Sequence, residues 1–258
     1  MSGYRFISTR REGHALIVRI QRPEVMNALH SPAHFEMADA FDAFAADDDL
    51  RVAIVTGAGE RAFSAGNDLK HHAAGGSLEM PASGFAGLTR RFDLAKPVIA
   101  AVNGLALGGG FETALACDII VAGEHARFGL PEPKVGLAAL AGGLFRLPQA
   151  IGIKRAMTMI LTARQVSACD GRELGFVSEV VEPGGELDRA LAIAGEIAVC
   201  SPAAIRAAKA TAMRGLDIPI AESIDAQFDW PEVSAMRASP DAIEGPRAFA
   251  EKRAPRWN

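Results

Sequence analysis

Residues 96–132 limit the possible folds of this chain more than any other segment does. They read KPVIAAVNGLALGGGFETALACDIIVAGEHARFGLPE. The apolar run 98–102 predicts a buried strand, residues 109–117 within and after the glycine triplet predict a helix, and residues 118–122 predict another strand. Strands that alternate with helices in this way are typical of an α/β domain.

The same alternation extends over most of the chain. Residues 14–20 carry apolar side chains at every second position, which predicts a strand. Ser31 and Pro32 are typical of a helix start, because serine caps helices and proline is tolerated at the first helical position. Further short apolar runs predict strands at residues 51–56 and 177–181.

The strand pattern ends near residue 182, and the sequence from residue 186 onward is typical of helices. We therefore predict two regions, an α/β core at residues 1–200 and a helical segment at residues 201–258. Within the core, the polar and glycine-containing stretch 71–84 predicts a mobile surface loop.

Composition excludes several classes of protein. The chain has 258 residues, 49% of them hydrophobic, and a net charge of −4, which fits an ordinary globular protein. No basic stripe occurs, so we expect no nucleic-acid partner. No apolar run approaches the roughly 20 residues of a membrane helix, and the N-terminal residues lack an apolar signal core. We therefore expect no membrane contact and a cytoplasmic location, with the three scattered cysteines reduced.

Two glycine-containing turns predict backbone donors for an oxyanion. Ala65 lies in a Ser-Ala-Gly-Asn turn after a strand-like run, where a free N–H can point into a cleft. Gly109 lies at the expected start of a helix, where N–H groups lack intrahelical partners. A glycine triplet also has a purely structural explanation, which is close packing of a helix on a sheet. The triplet alone does not decide between the two explanations.

Glu112 and Glu132 are candidate proton-transfer groups. Glu112 follows the triplet within the first helical turn, and Glu132 lies between two prolines that hold an extended turn. Two carboxyl groups near a desolvated site can take different pKa values, so that one acts as a base and the other as an acid. With the oxyanion donors they indicate chemistry on an acyl group, such as a thioester. The structural alternatives are a helix-dipole partner for Glu112 and a solvated loop position for Glu132.

Other site motifs do not fit the sequence. The glycine triplet is not followed by the Lys-Ser/Thr pair of a P-loop, and no GxGxxG occurs. Ser64 lacks the first glycine of the hydrolase motif GxSxG. His30 and His34 are separated by a Ser-Pro helix start, so we expect no metal site there, and we expect His71 and His72 to be solvated.

The segments AFSAGNDL, residues 97–130 and the terminal FAEKR together resemble the crotonase (enoyl-CoA hydratase/isomerase) family in order and spacing, over essentially the whole chain. The resemblance implies a crotonase-like spiral of ββα units, a helical C-terminal trimerisation region, and a homotrimer or a homohexamer formed by two trimers. It also implies an acyl-CoA thioester as the substrate and no separate cofactor or metal, because CoA is part of the substrate.

The resemblance also implies roles for individual residues. The N–H groups of Ala65 and Gly109 would form the oxyanion hole, and Glu112 and Glu132 match the two catalytic glutamates of hydratase members. Lys252 matches a lysine that approaches the CoA phosphates, sometimes on a neighbouring subunit. Residues near Arg22-Pro23 look like a CoA-binding turn. The predicted contacts to the acyl-CoA are Asn27, Ala28, Leu29, Ala65, Gly66, Asn67, Asp68, Leu69, Gly109 and Lys252.

The activity implied by the resemblance is that of a hydro-lyase, which adds or removes water across the α,β double bond of an acyl-CoA. Glu132 would exchange the proton at the α-carbon, and Glu112, with Glu132, would activate the water. Leu140 stands where many relatives carry a small or polar residue, which predicts a more apolar acyl pocket. Residues 64–70, 85–89 and 241–253 look most like carnitinyl-CoA dehydratases. The alternatives are that activity, a Δ3-Δ2-enoyl-CoA isomerase, and a non-catalytic acyl-CoA-binding scaffold.

Overall fold

The computed structural model describes residues 3–257 and confirms the predicted α/β fold. Its strands are β1 (Ile7–Glu12), β2 (Ala15–Ile20), β3 (Val52–Gly57), β4 (Ala62–Ser64), β5 (Val98–Val102), β6 (Leu105–Leu107), β7 (Ile119–Gly123), β8 (Arg127–Gly129), β9 (Val166–Ser167) and β10 (Glu179–Val181). Its helices are α1 (Ser31–Ala46), α2 (Leu69–Ala73), α3 (Gly109–Leu115), α4 (Gly143–Ile151), α5 (Ile153–Thr162), α6 (Ala168–Leu174), α7 (Glu186–Ala198), α8 (Pro202–Arg214), α9 (Ile220–Ala226), α10 (Pro231–Ala238) and α11 (Asp241–Ala250). Single 3-10 turns occupy Pro23–Val25, Phe85–Gly87, Glu132–Val135 and Gln227–Asp229.

The larger sheet is parallel except at one edge. Its strand order is β1-β2-β3-β5-β7-β10, and β1 pairs antiparallel with β2 while every other neighbouring pair is parallel. The predicted strands at residues 14–20, 51–56 and 98–102 correspond to β2, β3 and β5. Every residue of β3 and β5 is buried, which explains why these strands are continuous apolar runs rather than alternating ones.

The two faces of the larger sheet contribute to two different apolar cores. Ala53 and Val55 of β3 join the core that contains α1 and α3. Ile54, between them, belongs to a second core with Ala190 and Ile193 of α7. Because successive side chains of a strand point to opposite faces, one short strand can support both layers.

The smaller sheet positions the candidate site. Its strand order is β4-β6-β8-β9, and β4, β6 and β8 run parallel to each other. The carboxyl ends of parallel strands lie at the same edge of a sheet. The segments that follow these strands, at residues 65–67, 108–109 and 130–132, therefore leave the sheet side by side.

The stretch predicted to be a loop begins with helix α2. The Asp68 carboxylate caps this helix by accepting a hydrogen bond from the His71 N–H at 3.1 Å, so the loop prediction was wrong for residues 71–73. At the other end of the chain, α8 to α11 confirm the prediction of helices after residue 201. The boundary near residue 200 stays a prediction. Among residues 3–257 no single helix is long and apolar enough to cross a membrane; the consecutive pair α7 and α8 meets those criteria together but is bent by 107°.

Candidate active site

Three loops meet at the carboxyl edge of the smaller sheet. Gly66 has φ +90°, and a methyl group there would lie 2.7 Å from the Leu107 carbonyl oxygen and 2.9 Å from the Gly109 nitrogen. A methyl group at Gly108 would lie 2.8 Å from a carboxyl oxygen of Glu132. The loops after β4, β6 and β8 are therefore in direct contact, and glycine at residue 66 permits both the backbone conformation and the close approach.

The predicted oxyanion donor Ala65 has its N–H occupied. This N–H donates to the Met26 carbonyl oxygen at 3.0 Å, so the assignment of Ala65 as a free donor was wrong. The segment forms a parallel bridge with Leu29, which uses the Gly66 carbonyl and the Asp68 N–H. Because alternate N–H groups of an extended segment point to opposite sides, the N–H of Asn67 faces away from this bridge. Within residues 3–257 the N–H of Asn67 has no acceptor.

Gly109 begins α3, and its N–H has no acceptor in the described part of the chain either. The contact of Gly66 with the Gly109 nitrogen brings the turn that carries Asn67 against this second donor. Asn67 and Gly109 thus provide two unoccupied backbone N–H groups on adjoining loops, which is the requirement for an oxyanion hole. Sequence reasoning had included Asn67 among the CoA contacts but not as a donor.

Phe85 covers Gly109, a contact that sequence reasoning missed. The ring of Phe85 is buried and lies so close that a methyl group at Gly109 would collide with it. His34 packs against Phe85 with ring centroids 4.3 Å apart and accepts a hydrogen bond from the Ala86 N–H at 3.1 Å. Burial lowers the pKa of His34 to about 4, so it is neutral near pH 7. Nothing in the local sequence indicates this contact, because α1 and the turn at Phe85 meet only in the tertiary structure.

Glu112 is held inside the protein by a backbone donor from a distant segment. Its side chain is 3% exposed, and its Oε1 accepts a hydrogen bond from the Gly143 N–H at 2.8 Å. The pKa of Glu112 is raised to about 7, mainly by burial and also by the charge of Glu132, although the hydrogen bond from Gly143 and, more weakly, the charge of Arg146 oppose the rise. A carboxyl group with a pKa near 7 can both accept and donate a proton at neutral pH.

Glu132 lies beside Gly108 and is not a solvated loop residue. One carboxyl oxygen contacts Gly108, and the other, Oε2, is buried without a hydrogen-bond partner among residues 3–257. Burial raises the pKa of Glu132. An unpartnered buried carboxyl oxygen is costly unless a ligand or a proton satisfies it. Its position next to the glycine loop therefore favours a role in proton transfer.

In the predicted CoA-binding turn near Arg22, the Asn27 side chain joins separate backbone segments through hydrogen bonds. The side chain of Asn27 is fully buried and bonds the Arg22 N–H and the carbonyl oxygens of Ala58 and Ala62 at 2.7–3.0 Å. Asn27 and Leu29 are both 0% exposed and Ala28 is nearly as buried, so their side chains serve the packing of this turn. Contact of these three residues with CoA stays a prediction.

The Asp68 carboxylate also binds partners within the chain. Its carboxylate pairs with the Arg22 guanidinium at 2.9 Å and caps α2. Burial alone would raise the pKa of Asp68, but the hydrogen bonds from His71 and Arg22 keep it below its usual value. The ion pair fixes the turn that carries Asn67 to the segment that carries Arg22.

The remaining predicted residues lie at varied positions. Leu69 is partly exposed at the start of α2. Lys252 is exposed just after α11, with its N–H bonded to the Phe249 carbonyl oxygen, and its contact with CoA stays a prediction. Leu140 is 80% exposed, so nothing in this chain encloses it in an apolar pocket. His71 was wrongly expected to be solvated, since its ring lies 5.1 Å from that of His30 and its Nε2 is buried.

The arrangement can stabilise negative charge on an acyl oxygen and move protons beside it. The two free N–H groups would hold a carbonyl oxygen as it becomes an oxyanion. Glu112 and Glu132 have raised pKa values and adjoin the same loops, so the pair can supply one base and one acid. No group of three or more potential metal ligands occurs within residues 3–257.

Comparisons with known proteins show which family this chain belongs to. The family model for enoyl-CoA hydratase/isomerase matches residues 10–258. A carnitinyl-CoA dehydratase of Salmonella arizonae is 43% identical over 255 residues, 96% of each chain. The crystal structure of an enoyl-CoA hydratase from Mycobacterium tuberculosis superposes with a TM-score of 0.92, at 40% identity and 98% coverage of both chains. A carnitinyl-CoA dehydratase structure from Mycobacterium avium gives a TM-score of 0.78, at 41% identity and 98% coverage of both chains.

Proposed function

Because this chain belongs to the enoyl-CoA hydratase/isomerase family, we propose that it is a hydro-lyase that adds water to, or removes it from, an α,β-unsaturated acyl-CoA. The observation that carries the proposal is the pair of unoccupied N–H groups, of Asn67 and Gly109, beside the buried Glu112 and the half-buried Glu132. The substrate carries its own CoA, so the reaction needs no separate cofactor.

In the hydration direction the thioester oxygen accepts hydrogen bonds from the Asn67 and Gly109 N–H groups. Ionised Glu112 takes a proton from water while the hydroxyl oxygen bonds to the β-carbon, and the electrons of the double bond move onto the thioester oxygen. Protonated Glu132 then donates its proton to the α-carbon as the thioester carbonyl re-forms. Glu112 ends protonated and Glu132 ionised, and a proton passes between them to complete the cycle.

The raised pKa values support this division of roles. Glu112 has a pKa of about 7 and a hydrogen bond from Gly143, so a substantial fraction is ionised at neutral pH. Glu132 has an unpartnered buried oxygen, which favours its protonated form when Glu112 is charged. Like charges on two nearby carboxyl groups repel, so one proton shared by the pair is the stable state.

Incubation with crotonyl-CoA tests the proposal. The purified protein should remove the enoyl absorbance at a rate proportional to its concentration. A protein that binds CoA thioesters but leaves that absorbance unchanged at pH 6 to 9 would instead be the non-catalytic scaffold. Binding needs only the two N–H donors, whereas turnover needs the carboxyl pair.

A second candidate substrate is crotonobetainyl-CoA, because the carnitinyl-CoA dehydratases are similar over nearly the whole chain. Comparing kcat/KM for crotonobetainyl-CoA and crotonyl-CoA decides between the two. A Δ3-Δ2 isomerase would instead convert a 3-enoyl-CoA to its conjugated isomer without net addition of water. Mass spectrometry of the products distinguishes a gain of water from isomerisation.

The proposal includes assembly into a trimer or a hexamer in the cytoplasm. The helices after residue 200 expose large apolar side chains that a monomer would leave in water. These side chains are Met213, Leu216, Ile220, Ile224, Phe228, Ile243 and Phe249. Extensive exposed apolar surface of this kind marks an interaction surface in a soluble protein.

A further inference from the structure

Arg146, on α4, is a partly buried cation next to the segment that holds Glu112. Its backbone N–H donates to the Gly142 carbonyl oxygen at 2.9 Å. Its guanidinium lies against Gly142, because a methyl group on that glycine would collide with Nη1. The next residue, Gly143, provides the N–H that binds the Glu112 carboxylate at 2.8 Å. Arg146 and Glu112 therefore contact the same two-glycine segment.

The guanidinium is fixed from the other side as well. Its Nη2 donates to the Thr89 carbonyl oxygen at 2.9 Å, and its Cζ lies 5.7 Å from the centroid of the Phe92 ring. Thr89 is buried, and its own N–H donates to the Phe85 carbonyl oxygen at 3.2 Å. The charge is thus held near one position instead of moving freely in solvent.

A cation at this position opposes the rise in the pKa of Glu112. Glu132 is the other carboxyl group that acts on Glu112, and both are buried enough for their pKa values to rise. The groups whose charges act on Arg146 are Glu112 and the Cys117 thiol. Burial raises the pKa of Cys117, so this thiol is neutral at working pH and adds no negative charge. Of these two groups, only Glu112 is therefore ionised near neutral pH, and the positive charge of Arg146 favours its ionised form.

We propose that Arg146 is a positioning residue of this site, which supplies the counter-charge that keeps Glu112 ionised and holds the Gly142–Gly143 segment against it. Arg146 does not touch the substrate in this proposal. The inference rests on the proposed hydro-lyase function only for the kinetic part of its test.

The test replaces Arg146 with glutamine and with lysine. Removing an opposite charge near a carboxyl group raises its pKa. If ionised Glu112 is the base, the acid limb of the kcat/KM profile of Arg146→Gln moves to higher pH. The loss relative to wild type is then larger at pH 6 than at pH 9, where Glu112 is ionised in both proteins. Arg146→Lys keeps the charge, so its acid limb should stay close to that of wild type.

A measurement without substrate separates this inference from the proposed function. Carbon-13 NMR of glutamate-labelled protein follows the Glu112 carboxyl directly, with Glu112→Gln identifying its signal. Its midpoint should rise in Arg146→Gln and stay near wild type in Arg146→Lys. Arg155→Gln is the matched control, since it removes the same charge from an exposed position on α5. That control should leave the Glu112 midpoint unchanged.

Two outcomes would overturn the inference. One is an Arg146→Gln variant whose Glu112 midpoint equals that of wild type, with any loss of activity constant across pH. The other is an Arg146→Lys variant in which the titration midpoint of Glu112 rises by about a full pH unit. This second outcome can be observed even if the glutamine variant does not fold. A shifted NMR midpoint in a protein that hydrates no enoyl-CoA would support the role of Arg146 and refute only the proposed function.

Discussion

Replacing Gly66 with alanine tests whether the contact between the two donor loops matters for catalysis. The added methyl carbon would lie 2.7 Å from the Leu107 carbonyl oxygen and 2.9 Å from the Gly109 nitrogen. A carbon packs against a carbonyl oxygen at about 3.3 Å, so one loop must move by roughly 0.6 Å. Both neighbours are backbone atoms, which cannot rotate away as a flexible side chain could.

The expected loss follows from that displacement. A misplacement of about 1 Å at a reacting centre can cost on the order of 10²-fold in rate, so kcat for enoyl-CoA hydration should fall by roughly 10-fold to 100-fold. The alanine also carries strain at φ +90°, which costs about 1–3 kcal/mol in stability. Crowding adds about 1–3 kcal/mol to that loss.

Gly184→Ala separates strain from crowding. Gly184 also has φ +90°, but a methyl group there would meet no atom within 4 Å. The Gly184→Ala variant should lose stability only through backbone strain, and its kcat should equal that of wild type. Urea unfolding gives the two stabilities, and the decay of crotonyl-CoA absorbance gives the two rates. A Gly66→Ala enzyme with kcat within twofold of wild type would show that the spacing of Asn67 and Gly109 does not control the reaction.

Three further predictions concern the carboxyl pair and assembly. Glu132→Gln should lower kcat for crotonyl-CoA by about 10²–10⁴-fold with little change in KM, and near-normal turnover would remove Glu132 from the mechanism. Burial raises the pKa of Glu112 from 4.5 to about 7. Protonated Glu112 therefore adds to the free energy of unfolding below pH 4.5, and this contribution is lost as the pH rises through 7. Glutamine carries no charge, so the stability of Glu112→Gln relative to wild type should increase by up to about 3 kcal/mol between pH 4.5 and pH 8. Urea unfolding of both proteins measures this difference, and a difference that stays constant with pH would contradict the raised pKa. Light scattering should give the mass of a trimer or a hexamer at micromolar concentration, whereas a stable monomer would refute the assembly proposal.

Much of the fold and the site could be predicted from local sequence patterns. Short apolar runs predict the buried strands β2, β3 and β5, because run length and spacing indicate secondary structure. The glycine triplet likewise marks the start of α3. The sequence also identified Glu132, between two prolines, as a candidate carboxyl group. The family resemblance is confirmed, because it rests on the order of such segments along the chain.

Other residues acquired their roles only through partners far along the chain. Whether Ala65 or Asn67 presents a free N–H depends on Met26 and Leu29, which occupy one side of that segment. Local sequence identifies the turn, but the turn residues do not determine which of its donors faces a cleft.

The state of Glu112 likewise depends on contacts that the sequence does not display. Gly143 contacts it from α4, about thirty residues later, and the charge of Arg146 on the same helix favours its ionised form. Phe85 contacts Gly109 from an earlier turn. Hydrogen-bond direction, burial and charge are properties of atoms that become neighbours only when distant segments pack. The sequence therefore determined which groups are available for chemistry, and the tertiary structure determined which of them are free, buried and charged.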